Sequence, residues 1–187
     1  MESVQEYLEA LKREGEEAFR ASYSYPFLLY PEKHGASGFA TYHTKMAGRG
    51  AGANIAGSGQ EFKTYKVLVP KAGPDGTIGK KLLVGRSADR ELAIDHSTVS
   101  KRHAFIIFNE EQGAYQLGDA GSTNGTFLNG QAVEAGEPIF IRDGNIVSFG
   151  DCDYMFFSPE GFVELLKRLQ SEVIPPRTRG PLSGIEE

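Results

Sequence analysis

Cysteine is almost missing from this chain, positive charge is in deficit, and no long apolar run occurs. Of 187 residues only Cys152 is a cysteine, so no internal disulfide can form, which fits a reducing compartment. No stretch is long and apolar enough to span a bilayer, and Met1 to Arg20 is charged and lacks the apolar centre of a secretory signal. Cytoplasmic location, with no membrane partner, is the expectation. Lys and Arg number 20 against 25 Asp and Glu, a net charge of −5. Nucleic-acid binding relies on surplus cations to neutralise phosphates, so no nucleic-acid partner is expected. A local basic pocket remains compatible with that balance. No G-x-S-x-G elbow is present. His34, His43, His96 and His103 stand at no recognised ligand spacing and have no second cysteine beside them. Neither metal nor cofactor is expected.

What is present is glycine, 23 residues of it, in a chain that is 40% apolar and 24% charged. The length suits one domain with a core plus a tail. Val4, Tyr7, Leu8, Leu11, Ala18 and Phe19 recur at helical spacing and predict a helix over Ser3 to Arg20. Ser3 and Glu6 form a capping-box pattern, and Gly15 weakens the middle. This helix either packs on its own domain or docks a partner. The apolar run between Pro26 and Pro31 reads as a short edge strand or an extended segment over the core. Gly35 to Gly59 is rich in small residues and contains a formal G-x-G-x-x-A match at Gly48 to Ala53. A dinucleotide loop must follow a buried strand and open a helix. Neither flank has that pattern, so the segment reads as a flexible linker.

Short β segments follow, separated by turn residues: Thr64–Val69, Lys81–Gly85, Glu91–Ile94, Ala104–Asn109, Ala114–Leu117, Thr126–Leu128, Ala132–Val133, Pro138–Ile141, Asn145–Phe149 and Tyr154–Phe157. Many short strands with almost no helix between them indicate an antiparallel sandwich or barrel. Asn129-Gly130 predicts a two-residue hairpin. A last helix is expected to start at Ser158-Pro159, with Phe162, Leu165, Leu166 and Leu169 forming a stripe, and to end before Pro175-Pro176.

Three clusters lie where predicted strands meet loops: Val84-Gly-Arg-Ser87, Val99-Ser-Lys-Arg-His-Ala104, and Gly121 to Gly130. They supply an Arg, a Lys-Arg pair, hydroxyls, an amide and glycines. Such groups suit an anion: Arg offers a planar donor fork, hydroxyls add directed donors, and glycine lets backbone N–H groups approach closely. Ser100 and His103 stand three apart, but a Ser nucleophile also needs an oriented base and an oxyanion hole, so an enzyme is not expected.

In order, Val84-Gly-Arg-Ser87, Asp95 with Val99 to Ala104, Tyr115 to Asp119, Gly121 to Gly130 and Ile141 to Gly150 resemble a forkhead-associated (FHA) domain over about Tyr65 to Phe157. The resemblance implies a mostly β chain. Its centre would be an eleven-stranded, FHA-like antiparallel β-sandwich with binding loops at one end and flanking N- and C-terminal helices. It implies that Arg86, Ser100, Lys101 and Thr123 contact a phosphothreonine phosphate and that Asn124 holds the ligand's main chain. Gly85, His103 and Gly125 would be structural support. Thr98 would tune preference three residues after the phosphothreonine, where the family frequently has a charged or larger residue. Asn145 replaces the family's usual Asp in a turn that accepts either.

The expected organisation is residues 1–60 as helix, apolar segment and linker, 61–158 as the FHA domain, and 159–187 as helix and tail. The expected function is a non-catalytic phosphothreonine-peptide adaptor, its partners a phosphorylated protein and an upstream Ser/Thr kinase. The alternative is an assembly subunit that uses the sandwich surface and helices without phosphate. Thr41 or Thr44 ahead of the module, once phosphorylated, would be placed to occupy the protein's own site.

Overall fold

The computed structural model describes residues 2–31, 65–72 and 78–171. The Gly-rich segment, Thr41, Thr44, His34, His43, the Gly73–Gly76 turn and the C-terminal tail lie outside them.

The chain opens with β1 (Glu2–Ser3), α1 (Val4–Glu14), α2 (Glu16–Ser22) and β2 (Phe27–Pro31). After the undescribed segment come β3 (Tyr65–Leu68), β4 (Lys81–Gly85), β5 (Leu92–Ala93), β6 (Ala104–Asn109) and β7 (Ala114–Asp119). Then follow β8 (Thr126–Leu128), β9 (Gln131–Ala132), β10 (Ile139–Ile141), β11 (Ile146–Phe149), β12 (Cys152–Phe157) and α3 (Pro159–Ser171). Seven strands form one sheet in the order β1-β3-β2-β12-β11-β8-β9, and five form the other in the order β10-β7-β6-β4-β5.

The single N-terminal helix expected from the periodicity is two helices. Gly15 sits at φ 80° and ψ 164°, a backbone that side-chain-bearing residues rarely adopt, so the chain breaks there. Ser3 caps α1 as its pattern predicts: its hydroxyl accepts the Glu6 N–H at 3.3 Å while the Glu6 carboxylate accepts the Ser3 N–H at 2.7 Å. Phe19 is buried, but Ala18 faces solvent.

The apolar segment before the linker is neither an edge strand nor a cover. β2 lies inside the seven-stranded sheet, hydrogen-bonded to β3 on one side and β12 on the other. Pro26 precedes the strand and Pro31 is its last residue, opposite Tyr65, so neither interrupts the pairing in mid-strand. The central strands of the sheet are buried on both faces. Phe27 and Leu29 point to one core and Leu28 to another; Met155 and Phe157 on β12 alternate with Tyr154 and Phe156 in the same way. That two-sided burial explains why both strands read as continuous apolar runs.

One core lies under the helices, where Phe27 stacks on Phe162 of α3 at 3.9 Å between ring centroids. Ser158 caps α3 by accepting the Gly161 N–H at 3.0 Å. The other core fills the space between the sheets, with Leu82, Val84, Leu92, Ile106, Leu117, Val147 and Phe149 fully enclosed. Cys152 is buried there, and burial pushes its thiol pKa up to about 11.

Ten strands, β3 to β12, lie between residues 65 and 157, where the resemblance implies eleven, and β1 and β2 from the N-terminal segment join the seven-stranded sheet. One pair departs from the antiparallel expectation: β5 runs parallel to β4, with Val84 opposite Leu92. The turn closed by Arg90 N–H on the Ser87 carbonyl at 3.1 Å returns the chain alongside β4, where Leu92 is fully buried. The Asn129-Gly130 hairpin forms as read, with both residues at positive φ (50° and 83°) and Leu128 opposite Gln131.

Candidate functional site

Three loops meet at one end of the sandwich: residues 86–91 after β4, 94–103 between β5 and β6, and 120–125 between β7 and β8. The first two are clamped by backbone bonds. Arg86 N–H donates to the Ser100 carbonyl and His103 N–H to the Val84 carbonyl, each at 2.9 Å. Gly85 makes this possible. A Cβ there would stand 2.3 Å from the Lys101 carbonyl oxygen, a separation no other residue could hold.

His103 joins the second loop to the third. Its ring is fully buried. Nδ1 accepts the Ser100 N–H at 2.9 Å, and Nε2 lies 3.0 Å from the Gly125 carbonyl. These partners require the neutral ring with its proton on Nε2. Burial lowers its pKa below the usual imidazole value, against the opposing pull of the Gly125 carbonyl and the Asp119 charge. With both ring nitrogens engaged, His103 is a brace, and the imagined Ser100–His103 nucleophile pair does not form. Gly125 takes φ 81° and also accepts the Gly150 N–H at 3.0 Å.

Asp119, which the sequence reading left without a role, organises the third loop. Its Oδ1 accepts the N–H groups of Gly121 and Ser122 at 2.7 and 2.9 Å. Its Oδ2 accepts the hydroxyls of Ser122 and Thr126, both at 2.6 Å. Burial raises the pKa of this carboxyl, but the bonds from Ser122, Thr126 and Gly121 together outweigh it and hold the pKa below the ordinary Asp value. The signal was an Asp two residues before Gly121-Ser122, an Asx-turn arrangement.

On this frame the polar groups converge. The Ser100 hydroxyl accepts the Thr123 N–H at 3.0 Å and lies 3.3 Å from the Thr123 hydroxyl. Asn124 Nδ2 donates to the Thr98 carbonyl at 2.7 Å, leaving its amide oxygen and second amide hydrogen for other use. The Arg86 and Lys101 side chains are exposed and have no hydrogen-bond or ion-pair partner among the described residues. Thr98 sits at the rim with its hydroxyl already used: it lies 2.8 Å from His96 Nδ1 and accepts the Asp151 N–H at 3.0 Å. Gly150 lets this happen, because a Cβ there would meet the Thr98 carbonyl oxygen at 2.6 Å. All the candidate residues named from the sequence therefore belong to one loop cluster. No group of three or more His, Cys, Asp or Glu among the described residues is placed to hold a metal ion.

The FHA-domain family matches residues 82–150, which span β4 to the end of β11 and include every loop just described. The oxoglutarate dehydrogenase inhibitor of Corynebacterium efficiens is 31% identical over 115 residues, covering 55% of this chain and 78% of that protein. The chain belongs to the FHA-domain family. The sarcolemmal membrane-associated protein of Oryctolagus cuniculus is 34% identical over 77 residues, 39% of this chain but 10% of that protein. The chain thus matches only about a tenth of that relative's length. Among solved structures, the FHA domain of the CT664 protein from Chlamydia trachomatis is 19% identical with a TM-score of 0.42, covering 71% of this chain and 97% of that one. FHA domains are phosphothreonine-binding modules, and the mostly β double sheet with helices is the fold expected of this FHA chain.

Proposed function

We propose that this FHA protein is a non-catalytic adaptor that binds a phosphothreonine-bearing segment of another protein at the loop end of its sandwich, downstream of a Ser/Thr kinase. One observation carries the reading: the Ser100–Thr123 pair stands within 3.3 Å on a braced frame, and Arg86 and Lys101, exposed and unpaired among the described residues, come from the same loop cluster. Such a cluster suits an anion.

A phosphothreonine brings nearly two negative charges and three strong acceptor oxygens. Arg86 and Lys101 contribute charge-assisted donors, worth about 1.5–3 kcal/mol each, and Ser100 and Thr123 contribute hydroxyls. Asn124 fixes the ligand's main chain with the half of its amide that Thr98 leaves free. Ordering the peptide costs several kcal/mol, so affinity is on the order of micromolar. Thr98 acts at the rim by shaping the loop, since its hydroxyl is engaged, and so tunes the residue three after the phosphothreonine by packing rather than by hydrogen bonding.

Amide chemical-shift mapping tests this. Adding a phosphothreonine peptide should move the signals of Ser100, Lys101, Thr123 and Asn124 first, and the unphosphorylated peptide should leave them in place. Equal shifts with both peptides, or shifts confined to the helices, would refute the assignment.

A further inference from the structure

We propose that the outer face of the five-stranded sheet is a second docking groove, for an acidic, apolar segment of a partner protein. The face breaks the usual alternation of a sheet with one solvated side. Two cross-strand rows point outward. One is Leu83–Phe105–Gly118 and the other is Lys81–Ile107–Gln116–Phe140. Phe140 is the one large apolar side chain classed as exposed among the described residues, at 43%. Among the described residues the three helices sit on the seven-stranded sheet, and the core beneath them contains no residue of the five-stranded one.

The floor is built rather than incidental. The Phe105 ring lies over Gly118, where a Cβ would stand 2.2 Å from the ring. The Lys81 ammonium sits 4.5 Å above that ring's centroid. Around this floor is a groove of about 480 Å³ lined by Lys81, Leu83, Arg90, Arg102, Phe105 and Ala120. Its walls are cationic in a chain of net charge −5. Arg90 pairs through Nη2 with Asp89 at 2.6 Å, yet its buried Nε has no hydrogen-bond partner. The Glu91 carboxylate accepts the Leu83 N–H at 3.0 Å. An apolar floor with cationic walls complements a segment that alternates carboxylates with apolar side chains. Three cations on an acidic protein are too few to hold an anionic membrane, which favours a protein segment.

Arg90, Arg102 and Ala120 come from the same three loops as the phosphate-reading residues, but none of them is assigned a phosphate contact, and the sheet residues Leu83, Phe105 and Ile107 report on the groove separately. The full isotope-labelled chain is titrated with a hexapeptide alternating glutamate and leucine, and with its lysine counterpart. The expected result is shifts at Leu83, Phe105, Ile107 and Gly118 with the acidic peptide only, and a dissociation constant raised about tenfold in the Arg90→Gln/Arg102→Gln variant. Should that variant lose its dispersed spectrum, Lys81→Gln, at an exposed position, makes the same comparison. No shifts, equal shifts with the lysine peptide, or shifts centred on Arg86 and Ser100 would overturn the proposal. So would binding to phosphatidylserine vesicles through these residues with the peptide ignored.

Discussion

The buried His103 ring and the Gly125 carbonyl, 3.0 Å apart, tie together the two loops that supply Ser100 and Thr123. The other ring nitrogen accepts the Ser100 N–H at 2.9 Å, so one neutral imidazole sets the spacing of the candidate site. His103→Ala should lower phosphopeptide affinity about tenfold or more without removing any proposed phosphate contact. Calorimetric titration checks this against Arg86→Ala, which removes a contact and leaves the frame.

The same ring makes stability depend on pH. Its folded pKa lies below the ordinary value of 6.5 because burial disfavours the cation. The unfolded chain therefore binds the proton more readily. The contribution is fully present above the unfolded pKa and is lost as pH falls from about 6.5 toward the lower folded value. Urea melts from pH 8 to pH 5 should show stability declining in that window, and His103→Gln should flatten the decline.

Asp119 has the opposite chemistry and the same direction. Its folded pKa lies below 3.8 despite burial, because four donors favour the charged form. Its stabilisation is present above that value and is lost as pH falls through the folded pKa. Asp119→Ala leaves those donors without their acceptor and should cost on the order of 2–4 kcal/mol at pH 7. The penalty, read from denaturant midpoints, should shrink in strong acid.

Much of this was legible in the sequence because it is local. The capping box at Ser3 and Glu6, the Asn129-Gly130 hairpin and the Ser158 cap each depend on residues a few positions apart, and each formed. That Arg86, Ser100, Thr123 and Asn124 share one loop cluster followed from the resemblance, whose motifs have fixed spacing; the phosphate roles it gives them are proposals. The interior position of β2 could not be read. It depends on pairing with β3 and β12, and β12 is more than a hundred residues away in sequence. The resemblance implies structural support by Gly85 and gives Gly150 no role, but the contact that fixes each could not be read, since it is set by a carbonyl from another loop. Gly15 showed as a weak point, but its positive φ, and hence the break, is a tertiary outcome.

Gly85→Ala should therefore act at a distance. The added carbon meets the Lys101 carbonyl oxygen at 2.3 Å, so β4 and the Ser100 loop must separate. A loss of about 1–3 kcal/mol in stability is expected, with weakened phosphopeptide binding. Thermal denaturation together with titration measures both.

The helical layer should melt with the sandwich. Phe162 is fully buried and stacked on Phe27 of β2 at 3.9 Å. Phe162→Ala should cost about 3–5 kcal/mol. Far-ultraviolet and near-ultraviolet signals should still report one shared transition, and separate transitions would show the helices to be an independent unit.

The central claim is that an anion completes the cluster formed by Arg86, Ser100, Lys101 and Thr123. Its most direct test is binding of a degenerate phosphothreonine peptide library to the purified protein, beside folded Arg86→Ala and Ser100→Ala variants. Phosphate-dependent binding by the wild type that both substitutions abolish is the predicted result. A folded wild type that ignores every phosphopeptide, or variants that bind as well as it does, would contradict the account.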